Sequence, residues 1–111
     1  MAYDETVAAR VRKALVKRKG VTEKKMFGGL AFMLRGHMCC GVLKDELMLR
    51  VGAEQAETAL RRSAATTRPM DFTGKPMKGM LFVLPDGMKT EAALQKWVDM
   101  AADFASTLAK K

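Results

Sequence analysis

Residues 30–51 read Leu-Ala-Phe-Met-Leu-Arg-Gly-His-Met-Cys-Cys-Gly-Val-Leu-Lys-Asp-Glu-Leu-Met-Leu-Arg-Val. Apolar side chains recur with period two, and Arg35-Gly36-His37 and Lys44-Asp45-Glu46 interrupt them, so the stretch predicts three antiparallel strands joined by tight turns. A two-residue turn at Lys44-Asp45 pairs Val42 with Leu47 and Cys40 with Leu49. A three-residue turn at 35–37 then pairs Leu34 with Met38 and Phe32 with Cys40. This register gathers Leu30, Phe32, Leu34, Met38, Cys40, Val42, Leu47, Leu49 and Val51 on one face. A slip of one residue in either hairpin would divide that set, because side chains alternate strictly along a strand. The opposite face carries Ala31, Met33, Cys39, Gly41, Met48 and Arg50. It is apolar for a solvated sheet surface, so a helix or a second chain is expected to cover it.

Outward from this meander, 22–27 continues the period of two as a further strand, with Gly28-Gly29 as its turn. Before it, Asp4 to Arg18 has helical spacing: Val7, Val11 and Leu15 form one stripe, and Arg10, Lys13 and Lys17 the opposite one. After the meander, Ala53 to Arg62 reads as a short helix with Ala56, Ala59 and Leu60 facing inward. Residues 63–78 show no period and read as an irregular loop. Gly79 to Leu84 is nearly continuous in apolar character and reads as an internal fifth strand. Thr90 can cap a last helix over 91–108, whose stripe is Leu94, Trp97, Val98, Ala101, Phe104, Ala105 and Leu108. The expected fold is α+β, one antiparallel meander sheet of about five strands packed with three helices, in the order α-β-β-β-β-α-β-α.

The chain has 111 residues, enough for one domain with its own core. Two adjacent cysteines make no disulfide framework, so reduced thiols and a cytoplasmic location are expected. The N-terminus lacks the order of a signal peptide, and no run is apolar enough for a membrane span. Net charge is +8. Residues 1–25 hold eight basic and three acidic side chains, and residues 61–78 set Arg61, Arg62, Arg68, Lys75 and Lys78 against Asp71. Such segments attract phosphate without reading bases.

No Walker loop, nucleophile elbow or His-Glu-x-x-His pattern is present, so the sequence names no catalytic residue, no cofactor, no metal site and no small-molecule substrate. The single histidine, His37, falls in a turn and reads as a surface residue. The ten methionines read mainly as core filler, with Met70, Met77 and Met80 near the 63–78 loop as candidates for an adaptable surface. In a strand, Cys39 and Cys40 point to opposite faces, which places Cys40 in the core and Cys39 beside Met33 and Arg50. Buried cysteine is usually an inert small hydrophobe. The sharper alternative is a thiol made reactive by a neighbouring cation, or a soft-metal sensor.

At Lys25-Met26-Phe27-Gly28-Gly29-Leu30-Ala31-Phe32 the chain resembles the N-terminal domain of the TfoX/Sxy family of bacterial competence regulators. The likeness continues through His37-Met38-Cys39-Cys40-Gly41-Val42, Leu47-Met48-Leu49-Arg50-Val51-Gly52 and Arg68-Pro69-Met70-Asp71-Phe72-Thr73-Gly74-Lys75-Pro76-Met77-Lys78-Gly79. It covers roughly residues 5–108. The resemblance implies a secretion-chaperone-like α+β fold over a single N-terminal-type domain, 1–111, without the C-terminal helical domain that family regulators carry. It implies regulation of DNA-uptake genes through a cyclic-AMP receptor protein, and it supplies no catalytic residues.

Three functional expectations result. The first is a non-enzymatic interaction module that binds a protein partner or a second copy of itself. Its surfaces would be the loop with Arg68, Met70, Asp71, Phe72, Lys75, Met77 and Lys78, or the sheet face with Met33, Cys39, Met48 and Arg50. The second is a nucleic-acid-binding accessory protein using segments 10–25 and 61–78, with Arg10, Lys13, Lys17, Arg61 and Arg62 as contacts. The third is the thiol or soft-metal sensor at Cys39.

Overall fold

The first and last helices start where a side-chain oxygen satisfies their first amides. In the computed structural model, which describes residues 3–26, 28–71 and 76–108, helix α1 (Glu5–Ala14) opens with Asp4 Oδ1 accepting from the Thr6 and Val7 amides at 2.8 and 3.3 Å. Helix α3 (Glu91–Ser106) opens with Thr90 Oγ1 accepting from the Ala93 amide at 3.0 Å. Helix α2 spans Ala53–Arg62. The strands are β1 (Val21–Met26), β2 (Gly29–Leu34), β3 (His37–Leu43), β4 (Glu46–Arg50), β5 (Thr67–Asp71) and β6 (Pro76–Val83). Helix α1 ends four residues before the expected Arg18, and residues 15–20 turn the chain into β1.

The six strands form one antiparallel sheet in the order β1-β2-β3-β4-β6-β5. The expected count was about five, and the additional strand is β5. It runs through Thr67-Arg-Pro-Met-Asp in the segment read as irregular, and it pairs with β6 as far as Asp71↔Pro76. Pro69 hid it. Proline cannot donate to a ladder, but β5 is an edge strand, where only one side must pair. The other edge, β1, is blunted by the exposed run Thr22-Glu23-Lys24-Lys25.

The β3–β4 register is the expected one, with Val42 opposite Leu47 and Cys40 opposite Leu49. Between β2 and β3 the expectation is half right. Phe32 stands opposite Cys40, but Leu34 pairs with His37 and Met33 with Met38. Arg35 and Gly36 both have positive φ, 52° and 88°, the signature of a two-residue type I′ turn. That turn brings the strands together one residue earlier than a three-residue turn would. The register shifts between Phe32 and Met33, and Cys39 is the extra residue, a β-bulge on β3.

All three helices cover one face. Val7, Ala8 and Val11 of α1, Ala56 and Ala59 of α2, and Leu94, Val98, Ala101, Ala102 and Ala105 of α3 share a single core with Leu30, Phe32, Cys40, Val42, Leu47, Leu49, Leu81 and Val83. Burying one of the large side chains of this set stabilises the fold by about 1.5–3 kcal/mol. On the other face Met48, Met80 and Phe82 form a second, smaller core, with Met38 and Leu43 packed against it. Gly41 is obligatory there, because a Cβ would lie 2.7 Å from both the Leu30 carbonyl oxygen and Met48 Cε. Met48 lies across the space that glycine leaves. The radius of gyration is 12.6 Å, that of one compact α+β body of this length. No helix among the described residues is long and apolar enough to cross a membrane.

Candidate functional site

Between α2 and α3 lies a cleft of about 440 Å³, within the usual range for ligand or anchor-residue pockets. Its inner wall is apolar: Ala59 from α2, and Ala93, Trp97 and Met100 from α3. The spacing explains the lining. Ala93, Trp97 and Met100 follow one another at i, i+4 and i+7, one stripe of α3, and Glu54, Thr58 and Arg62 do the same at i, i+4 and i+8 on α2. The small side chains of Ala59 and Ala93 leave the gap. Trp97 is fixed by its indole N–H, which donates to the Gly87 carbonyl at 3.1 Å. At the rim stand Arg62 and Lys96, both exposed and without an ion-pair partner among the described residues. Gln55 is anchored through a 2.8 Å bond to the Val51 carbonyl.

The sequence placed Trp97 and Ala59 on the apolar stripes of their helices and did not single out Ala93. The signal that could have found the cleft is the weak stripe of α2, whose alanines cannot fill the space beside a tryptophan.

The expected sheet-face surface is not an open face. Met48 is 0% exposed and belongs to the second core. Cys39 is 1% exposed and lies in the helix-covered core with Cys40, because the bulge breaks the strict alternation that had placed it beside Met33. Met33 is half-buried. Arg50 is also partly exposed, and its guanidinium carbon lies 6.0 Å from the centre of the Phe104 ring.

In the 68–79 segment, Arg68 donates to Glu46 at 2.8 Å and lies over the Phe82 ring at 4.2 Å. It is a positioned member of the sheet surface, not a free loop cation. Met70 and Asp71 belong to β5, and Met77 and Lys78 to β6. Phe72 and Lys75 lie outside the described residues.

Among the expected nucleic-acid contacts, Arg10 is committed inside the fold. Its Nη2 donates to the carbonyls of Met88 and Thr90, and its Nε to Glu91. Lys13 and Lys17 are exposed, and Arg61 sits 3.7 Å from Glu57 on its own helix. Two further arginines of the basic N-terminal segment are also paired, Arg12 with Glu23 and Arg18 with Asp99 and Asp103.

Both thiols are buried in the helix-covered core. The neighbouring Cys40 and the positive charge of Arg18 lower the Cys39 pKa against the opposing effect of burial. The neighbouring Cys39 and full burial push Cys40 well up. No group of three or more His, Cys, Asp or Glu able to hold a metal occurs among the described residues.

A family model, the TfoX N-terminal domain, matches residues 13–105. No curated protein and no solved structure matches the chain.

Proposed function

The chain belongs to the TfoX N-terminal domain family, and on that premise we propose that it is a non-enzymatic, cytoplasmic regulatory module that docks a protein partner in the α2–α3 cleft. The observation that carries this reading is the Trp97 wall. It is a large aromatic fixed through its N–H beside two alanines, with apolar surface facing outward between two cations that have no ion-pair partner among the described residues. Anchor residues of protein interfaces have this character, an aromatic in a pocket with a polar rim. The rim charges Arg62 and Lys96 favour a partner that presents an apolar side chain flanked by carboxylates. Transcriptional control of DNA-uptake genes is the setting that the family suggests for such docking.

Ala93→Arg fills the cleft from a half-buried position on α3. Wild type and variant, immobilised side by side in extract from the source cells, should differ by the loss of one captured protein from the variant. Light scattering on the same pair separates a foreign partner from self-association. Identical capture and identical mass would remove the cleft from the reading, and unchanged DNA-uptake transcripts in cells carrying only the variant would remove the regulatory setting. A nucleic-acid role would rest on Lys13, Lys17 and Arg62, and would show as duplex affinity falling steeply with salt.

A further inference from the structure

Residues 13–35 carry seven basic side chains and one acidic one, Glu23. In the fold the nearby acids pair with arginines, and the lysines are left over. Arg12 takes Glu23, and Arg18 takes Asp99 and Asp103 of α3. Lys13, Lys17, Lys19, Lys24, Lys25 and Arg35 are all exposed, and none has an ion-pair partner among the described residues.

Tertiary contacts gather these six. The Arg12–Glu23 pair, at 2.6 Å, holds the last turn of α1, which carries Lys13, against β1, which carries Lys24 and Lys25. Lys17 and Lys19 lie in the turn that joins the two elements. The Gly20 carbonyl accepts from the Arg35 amide at 3.0 Å, which brings the β2–β3 turn alongside. The result is one cationic border that runs from the end of α1 along the edge strand. Arg62 and Lys96 stand apart from it, at the α2–α3 cleft.

We propose that this border is a docking surface for the phosphate backbone of duplex nucleic acid, separate from the protein-docking cleft. Strand β1 pairs only with β2, so one side of its backbone is open. Edge amides donate to phosphate oxygens as lysines do. Lys24 and Lys25 project to opposite faces of the strand and so bracket that open backbone. The charges that keep a second strand off this edge are the ones that attract a polyanion. Proteins grip single strands by stacking bases on aromatic side chains, and Val16 is the one large hydrophobic exposed among the described residues. A membrane surface is disfavoured for the same reason, because it takes up a helix with an apolar face to bury. Contacts to phosphate carry no sequence information, so DNA and RNA duplexes are bound alike and without regard to sequence.

The test is fluorescence anisotropy of a labelled mixed-sequence DNA duplex, titrated with the full chain across a salt series. Affinity should fall with salt at a log–log slope of about −3 to −4, as for about four phosphate contacts. Lys24→Gln combined with Lys25→Gln should make that slope shallower by about 2 and weaken low-salt binding about tenfold. Arg61→Gln combined with Lys89→Gln removes the same charge from α2 and from the approach to α3. It should change affinity less than about twofold, because those two cations are already paired with Glu57 and Asp86. An RNA duplex should bind within a few-fold of the DNA. Absence of binding at low salt would overturn the proposal, as would equal losses in the two double variants. Tighter binding of a single strand, or of phosphatidylserine vesicles, would also overturn it. The wild-type slope and strand preference decide without any variant, and neither depends on whether the cleft captures a protein.

Discussion

Arg10 and Glu91 stand 81 positions apart in the chain, yet the Arg10 Nε donates to the Glu91 carboxylate at 2.8 Å. The same guanidinium bonds the carbonyls of Met88 and Thr90, so one side chain of α1 fixes the first turn of α3 and the residues leading into it. Arg10→Ala is expected to lower stability by about 1–2 kcal/mol, most of it from the partly buried bond to the Met88 carbonyl and little from the exposed ion pair. Lysine at this position has no fork to span the three acceptors and should recover less than half of the loss. Urea unfolding of the two variants decides it. A variant as stable as wild type would show that the contact orients without stabilising.

Met48 answers differently from a surface residue. Because it is fully buried against Gly41, Met48→Ala should cost about 2–5 kcal/mol, and Met48→Asp should prevent folding at neutral pH by burying an unpaired charge. A folded Met48→Asp protein with an altered oligomeric state would return this face to the list of docking surfaces.

Arg35 occupies a left-handed conformation, φ 52°, in the β2–β3 turn. A side chain of this kind pays for that region, whereas asparagine enters it readily. Arg35→Asn is expected to raise stability by about 0.5–1 kcal/mol, read as a higher urea midpoint with an unchanged slope. A lower midpoint would mean that the arginine stem packs usefully at the Gly20 turn, which it approaches.

Arg12 grips Glu23 with two nitrogens, at 2.6 and 2.9 Å, joining α1 to the edge strand. The hydrogen bond holds the Glu23 carboxyl below its ordinary value of 4.5. A depressed folded-state pKa stabilises the fold above the unfolded value and ceases to do so as pH falls through the folded one. Glu23→Gln should therefore be less stable than wild type at neutral pH, by under about 1 kcal/mol because both side chains are well exposed. The difference should shrink in high salt and vanish in strong acid. Parallel stability curves from neutral to acid pH would contradict this.

Much of the fold could be read directly. The period of two over 30–51 placed β2, β3 and β4, and the need to keep Val42, Leu47, Cys40 and Leu49 on one face set the β3–β4 register. Thr90 marked the start of α3 because a capping oxygen acts on the amide three residues away. These are local relations, and local relations leave a trace in sequence. Strand β5 left none, since Pro69 breaks the pattern and only an edge position excuses it. The cleft left little, because a gap is the absence of side chains that neither of two separate helices supplies.

The sequence by itself determined the α+β class, the meander, the Thr90 cap and the family likeness, all of which rest on spacings within one element or one hairpin. Only the tertiary structure decided which way Cys39 faces, that Met48 is core and that Arg10 is a structural tie. Each depends on a contest between distant demands: a two-residue turn against a core register, a sheet face against what covers it, one helix against the start of another. A bulge of one residue resolves the first by turning a thiol through the sheet. Nothing in the spelling Cys-Cys specifies that.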